Sequence, residues 1–352
     1  MKKFLVLLMS LVLLVILIGG CAEAPVEEIP EEESPAAGEI ATLGLGIVTS
    51  INRSQSLSED EEGEVENLAM GQVDSVIATA AFDQEGRVVD VIIDTAQTRV
   101  HFDEDMQLDS DPAEEILTKK ELGDDYDMRR ASEIDKEWDE QIEALEEWMV
   151  GKTVEEINAL DMDNGYPADP DLTTSVTITV TDYLAALEKA YHNAVNVQAG
   201  AETLGLGHNI SIGRSVGYDA DNDTMPMAQV DTVISGTVFN DAGEVAGVLI
   251  DTAQTRVNFD GEGQLTSDPA AEFPTKKELG DDYDMRRASE IDKEWDEQIE
   301  ALEEWMVGKT VEEINALDMD NGYPADPDLT TSVTITVTDY LAALEEAYDR
   351  AR

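Results

Sequence analysis

The chain is poor in the residue types that build most redox and hydrolytic sites. Of its 352 residues, one is cysteine, three are histidine, and 22 are basic against 79 acidic. A single cysteine, Cys21, excludes an internal disulfide and any cluster or haem held by several thiolates. His101, His192 and His208 stand at positions that do not recur, so they give no repeated ligand set and no repeated Ser-His-Asp arrangement. A formal charge of −57 works against nucleic acid and against anionic lipid headgroups as partners. Aromatic residues make up only 5%, yet 42% of the chain is hydrophobic, which is enough for a folded core.

What is present begins with a membrane address. Lys2 and Lys3 precede an apolar run over 4–18, followed by Gly19, Gly20 and Cys21. A basic start, an apolar stretch short for a bilayer span, and small residues before a cysteine make residues 1–20 a lipoprotein signal. Cys21 is then the lipidated first residue of the mature protein. Removing residues 1–20 takes away two lysines and no acid, so −57 becomes −59. Residues 21–40 are rich in Glu, Pro and Ala without periodicity, and read as an acidic tether.

Two homologous units follow, at 41–197 and 198–352. Residues 118–188 recur without a substitution as 275–345, and 94–100 recur as 251–257, while the rest of the upstream halves has diverged. The short link between them predicts two bodies lying close together. Each unit reads as α+β, a small antiparallel sheet packed with helices. Residues 73–82 and 88–94 are Val/Ile-rich and flank Asp83-Gln84-Glu85-Gly86, a hairpin turn; residues 98–102 read as a further strand. Residues 128–150 carry Ile134, Trp138, Ile142, Leu145 and Met149 at helical spacing. Thr153 and Glu156 have capping-box spacing for a short helix to Leu160. Residues 176–181 alternate as a strand does, and Asp182 stands where it would cap a helix over 183–191.

The segment from Asp171 to Thr177 recurs as Asp328 to Thr334. An acidic residue six positions before a threonine, with Thr174 and Ser175 (Thr331 and Ser332) between, resembles the D-x-x-S-G-A-T pattern of the FMN-binding domain family. Ser175-Val176 stands where that pattern has Gly-Ala. The likeness extends to tandem flavinylated lipoproteins of Gram-positive bacteria, over Asp94 to Arg99, Thr118 to Asp125 and Ser175 to Ile178. It implies two tandem FMN-binding-like domains with two covalent FMN groups, joined by phosphoester to Thr177 and Thr334. Asp171, Asp328, Thr174, Thr331, Ser175 and Ser332 then belong to the motif a flavin transferase recognises. It also implies a membrane electron donor and an extracellular acceptor, with the lipid anchor holding the carrier between them. On residues alone, Ser175, Thr177, Thr179 and Thr181 equally fit the solvated face of an edge strand. The chain would then be a non-redox surface lipoprotein acting as a tandem binding or adhesion module.

Covalent attachment makes physical sense outside a cell, where a cofactor held only by equilibrium binding is diluted away. A hydroxyl is a poor nucleophile unaided, so attachment calls for an enzyme and a metal ion to neutralise the FAD pyrophosphate. A phosphoester would favour a basic neighbour from among Arg99, Lys119, Lys120, Arg129 and Arg130, or their counterparts Arg256, Lys276, Lys277, Arg286 and Arg287. Tyr126, Trp138, Trp148 and Tyr166 are the candidate ring walls, with Trp138 on the core stripe. Asp161-Met-Asp163-Asn-Gly165 and Asp219-Ala-Asp221-Asn-Asp223 lack the glycine and glutamate register of an EF-hand and read as acidic turns. The acidic surface should favour cationic acceptors over anionic ones.

Overall fold

A computed structural model describes residues 38–352; the signal, Cys21 and the tether up to residue 37 lie outside the described residues. The described part is mixed α+β and belongs to one compact unit. In the first repeat, β1 (Thr42–Ser50), β2 (Met70–Phe82) and β3 (Val88–His101) form an antiparallel meander in the order β3-β2-β1. The second repeat does the same with β4 (Ala201–Ser211), β5 (Met227–Asn240) and β6 (Val245–Asn258).

Both faces of each sheet are buried, and strand alternation divides their side chains between two cores. On β2, Val76, Ala78, Ala80 and Phe82 face the helices, while Ile77 and Ala81 join Leu43, Leu45 and Ile47 on the opposite face. That opposite face meets Leu204, Leu206, Ile234 and Val238 of the second repeat. A second shared cluster closes the far end, where the Phe102 and Phe259 rings lie edge to face at 5.4 Å. The layers are therefore helices, sheet, sheet, helices, and the closeness expected of the two bodies takes the form of a joint core. Reciprocal loop contacts tie the repeats as well: Leu57 N–H donates to Gly263 O at 2.9 Å and Tyr218 N–H to Met106 O at 2.9 Å.

Helices α1 (Lys119–Leu122), α2 (Trp138–Met149), α3 (Val154–Asn158) and α4 (Thr181–His192) cover the first sheet. Their counterparts are α5 (Lys276–Leu279), α6 (Trp295–Met306), α7 (Val311–Asn315) and α8 (Thr338–Asp349). The 83–86 turn forms as expected, with Gly86 at φ +75 and Asp83 Oδ1 accepting from the Glu85 and Arg87 amides. The Thr153–Glu156 capping box also forms, and opens α3. Residues 161–167 make a tight turn, with Asn164 and Gly165 at positive φ.

Four expectations are corrected. Residues 88–101 are one strand rather than two, because the polar stretch after Asp94 stays paired to β2 along its whole length. The helix begins at Trp138 and not at 128, because the buried Glu137 carboxylate accepts from the Met128 and Arg129 amides and folds 128–137 back as a loop. Residues 176–181 are not a strand: the Thr177 amide bonds the Gln141 side chain and the Val180 amide bonds Gly165 O, so no neighbouring strand is needed. Asp182 lies in the first turn of α4 and not at its cap, which is Val180.

Candidate functional site

The residues around Thr177 are placed by α2. Its apolar stripe buries Trp138, Ile142, Leu145 and Met149 against the sheet, and carries Gln141 inward with them to 0% exposure. Gln141 Oε1 accepts from the Thr177 amide at 2.8 Å and from its hydroxyl at 3.2 Å, while Nε2 donates to Ser132 Oγ at 3.3 Å and Lys136 O at 3.4 Å. One buried amide thus joins the 128–137 loop to the 169–180 loop. Gln298 makes the same two bonds to Thr334, at 2.8 and 3.2 Å.

Between the two loops lies a cleft of about 550 Å³, lined by Met128, Ser132, Gln141, Tyr166, Pro167 and Ile178 around Thr177. Thr177 is half-buried at its wall. The motif upstream winds through two consecutive turns, in which Leu172 and Thr173 donate to Asp169 O and Ser175 and Val176 to Leu172 O. Val176 faces the core at 1% exposure, so its extra bulk over alanine points away from the surface. Ser175 Oγ donates to Leu172 O, and Ser332 Oγ to Leu329 O, both at 3.2 Å. Asp171, Thr174, Asp328 and Thr331 are exposed. The Asp171 and Asp328 amides close on Asp169 and Asp326, and among the described residues their carboxylates make no hydrogen bond or ion pair.

The candidate cations separate sharply. Lys120 pairs with Glu146 at 2.6 Å, Arg129 with Glu140 at 2.8 Å, and Arg130 with Asp127. Arg99 donates only to the neutral amides of Gln72 and Gln97. Lys119 has no carboxylate partner among the described residues; its ammonium lies 4.9 Å from the Tyr126 ring centre and 5.2 Å from that of Trp138. None of these cations lines the cleft beside Thr177. Of the four candidate ring walls, Tyr166 alone lines it. Trp138 is packed in the core, where its indole N–H donates to Tyr183 at 2.9 Å, and burial pushes the Tyr183 hydroxyl up to about 12. Trp148 lies under the Lys152 ammonium.

Gln141, Met128, Pro167 and Ile178 escaped sequence reasoning. The only signal for Gln141 was a polar residue within the apolar stripe, one position before Ile142. Asp94 is buried and accepts from Thr118 Oγ1 at 2.7 Å and from the Lys120 amide at 3.1 Å. It fastens α1 to β3. His208, unmatched in sequence, meets Glu121 and Glu346 across the repeats, where the Arg350 guanidinium already bonds both carboxylates at 2.8 and 3.1 Å. No helix among the described residues is long and apolar enough to cross a membrane. Comparison with family models, with curated proteins and with solved structures gives no match to this chain.

Proposed function

We propose that the chain is a lipid-anchored extracytoplasmic flavoprotein of two tandem FMN-binding-like domains. It carries electrons through FMN groups joined to Thr177 and Thr334. The observation that supports this reading is the cleft at Thr177. Its volume of about 550 Å³ falls within the roughly 300–1,000 Å³ of small-molecule sites. A half-buried hydroxyl stands at its wall, and Tyr166, Pro167 and Ile178 offer apolar surface of the kind a flavin ring packs on.

Bound FMN would supply the electron chemistry, and the protein supplies retention and surroundings. Gln141 accepts a hydrogen bond from the Thr177 hydroxyl and leaves the hydroxyl oxygen's lone pairs to point elsewhere. The exposed Asp171 and Thr174 give a flavin transferase a surface to read, and the inward Val176 leaves that approach open. A membrane donor and an extracellular acceptor follow from the anchored carrier role. A second reading, a non-redox surface lipoprotein with tandem binding modules, is favoured by the cation-bearing pocket at Lys119, which is separate from Thr177.

The test is intact mass and colour of the full-length chain co-expressed with a flavin transferase. Two FMN-sized increments and a yellow protein are expected, and Thr177→Val and Thr334→Val should each remove one increment with the fold retained. A colourless protein of unmodified mass would end the carrier reading.

A further inference from the structure

Lys119 is a buried cation without a charged partner among the described residues. In a protein of net charge −57 its ammonium meets no carboxylate within ion-pair distance and makes no hydrogen bond among the described residues, although the residue is only 9% exposed. Two aromatic rings attract it, but such contacts return less than the hydration a buried ammonium gives up. The side chain lines a polar pocket of about 110 Å³ between β2, β3 and the start of α4, together with Arg53, Asp74, Thr95 and Gln97. Thr95 Oγ1 is buried there and approaches the Tyr183 hydroxyl without completing a hydrogen bond. Arg53 is exposed at the mouth and also lacks an ion pair among the described residues.

The second repeat keeps every one of these groups, as Lys276, Arg214, Asp231, Thr252 and Gln254. Arg53, Asp74 and their counterparts lie in the halves that have diverged. The Lys276 ammonium lies 5.2 Å from the Tyr283 and Trp295 ring centres, and Thr252 Oγ1 is again unpartnered. Burial holds Lys276 below the usual lysine range; Asp231 and the buried Asp251 oppose this and Arg214 adds to it, which places these charges together.

Two cations without partners call for an anion, and the pocket size limits it. A volume of about 110 Å³ takes an ion of a few heavy atoms and not a nucleotide, since one water needs only about 10–15 Å³ on the same measure. Asp74 narrows the choice. Its oxygens accept from Gln72 Nε2 at 2.9 Å and from Gln97 Nε2 at 2.9 Å, which leaves lone pairs that an O–H group can use. A carboxylate at the wall repels a fully ionised oxyanion and accepts from one that keeps a proton. Asp182, exposed at the rim, acts in the same sense.

We propose that each repeat holds a binding site for free, protonated inorganic phosphate, formed by Lys119, Arg53, Asp74 and Thr95 in the first and by Lys276, Arg214, Asp231 and Thr252 in the second. The sites are independent of flavin at Thr177 and do not rest on that reading. Lys119 and Arg53 neutralise the ion, Thr95 donates its hydroxyl, and Asp74 accepts the phosphate proton.

The test is calorimetric titration of the full-length protein with sodium phosphate, in about 0.5 M NaCl to screen long-range repulsion. Two phosphates per chain are expected. Lys119→Gln and Lys276→Gln should each reduce the stoichiometry to one, with affinity at the altered site falling at least about tenfold. Arg53→Gln changes an exposed residue, leaves the fold unaffected, and should weaken one site severalfold. Sulfate, which keeps no proton near neutral pH, should bind at least about tenfold more weakly than phosphate because of Asp74. No binding of phosphate, or unchanged binding in both Lys119→Gln and Arg53→Gln, would overturn the assignment. Equal binding of sulfate would overturn the role of Asp74, and equal binding of glycerol phosphate would overturn the choice of the free ion.

Discussion

Gln141 accepts both the amide and the hydroxyl hydrogen of Thr177 through one buried oxygen, and Gln298 does the same for Thr334. Replacing Gln141 by alanine strands the Thr177 amide and removes the link to Ser132. The cost of an unsatisfied buried donor is about 1–3 kcal/mol, so Gln141→Ala should lower the urea midpoint accordingly. Thr177→Val loses only the hydroxyl contact and should cost under about 1 kcal/mol. If Gln141→Ala proves no more costly than Thr177→Val, the amide is not what holds the loop.

Gly44 and Gly46 set the distance between β1 and α4. A Cβ on Gly46 would overlap the Ala186 carbonyl oxygen and crowd the Ala190 amide, and Gly207 stands in the same relation to Ala343. Backbone atoms cannot swing aside as a side chain tip does, so the helix would have to lift from the sheet. Gly46→Ala and Gly207→Ala should each destabilise by about 3 kcal/mol, at the upper end of overpacking costs. Equal urea midpoints for wild type and Gly46→Ala would contradict the close approach.

These glycines mark the limit of what was legible beforehand. The hairpin turn, the Thr153–Glu156 capping box and the α+β class followed from local patterns, because Gly86, Thr153 and the α2 stripe act through near neighbours. The 176–181 segment did not, because its alternation of Val and Thr matches a strand while its amides are satisfied by Gln141 and Gly165, each remote in sequence. Glu137 hid the true helix start in the same way, by taking amides eight and nine residues before it. The pocket at Lys119 was invisible for a related reason: a lysine in an acidic chain reads as paired, and only the fold shows it without a carboxylate. The joint core was not legible: the short link predicted only two bodies lying close together, and no local pattern shows that the sheet faces turned away from the helices bury each other.

Arg352 distinguishes the two repeats. The buried Glu146 accepts from the Ile93 amide at 2.6 Å and pairs with Lys120 at 2.6 Å, and Arg352 of the second repeat reaches its other oxygen at 2.8 Å. Arg352 also donates to Val91 O at 2.8 Å. Arg352→Ala should therefore loosen the joined repeats by about 1–2 kcal/mol, since Arg352 is itself half-exposed and partly screened. Lys189→Ala, which breaks the more exposed pair with Glu278, should cost under about 0.5 kcal/mol. Reversal of that order in denaturant titrations would show that the burial of Glu146 does not matter.

Glu303, the counterpart of Glu146, has no such second cation among the described residues. It accepts from the Ile250 amide at 2.5 Å and pairs with Lys277 at 2.6 Å, and burial still pushes its carboxyl up to about 7. The sign is opposite to that of a surface carboxylate. A folded-state value above the ordinary 4.5 means that the folded protein holds a proton the unfolded chain has released. Stability from this group is then greatest below pH 4.5 and falls as pH rises towards 7, beyond which it is constant. The span corresponds to a loss on the order of 3 kcal/mol. Exposed acids such as Glu297 and Glu313, held low by backbone amides, contribute with the reverse slope and are lost as pH falls. Subtraction of a Glu303→Gln variant removes these shared terms. Urea unfolding from pH 4.5 to 8 should give a wild-type minus variant difference that declines with rising pH and flattens near 7; a difference independent of pH would show that Glu303 is ionised in the folded protein throughout.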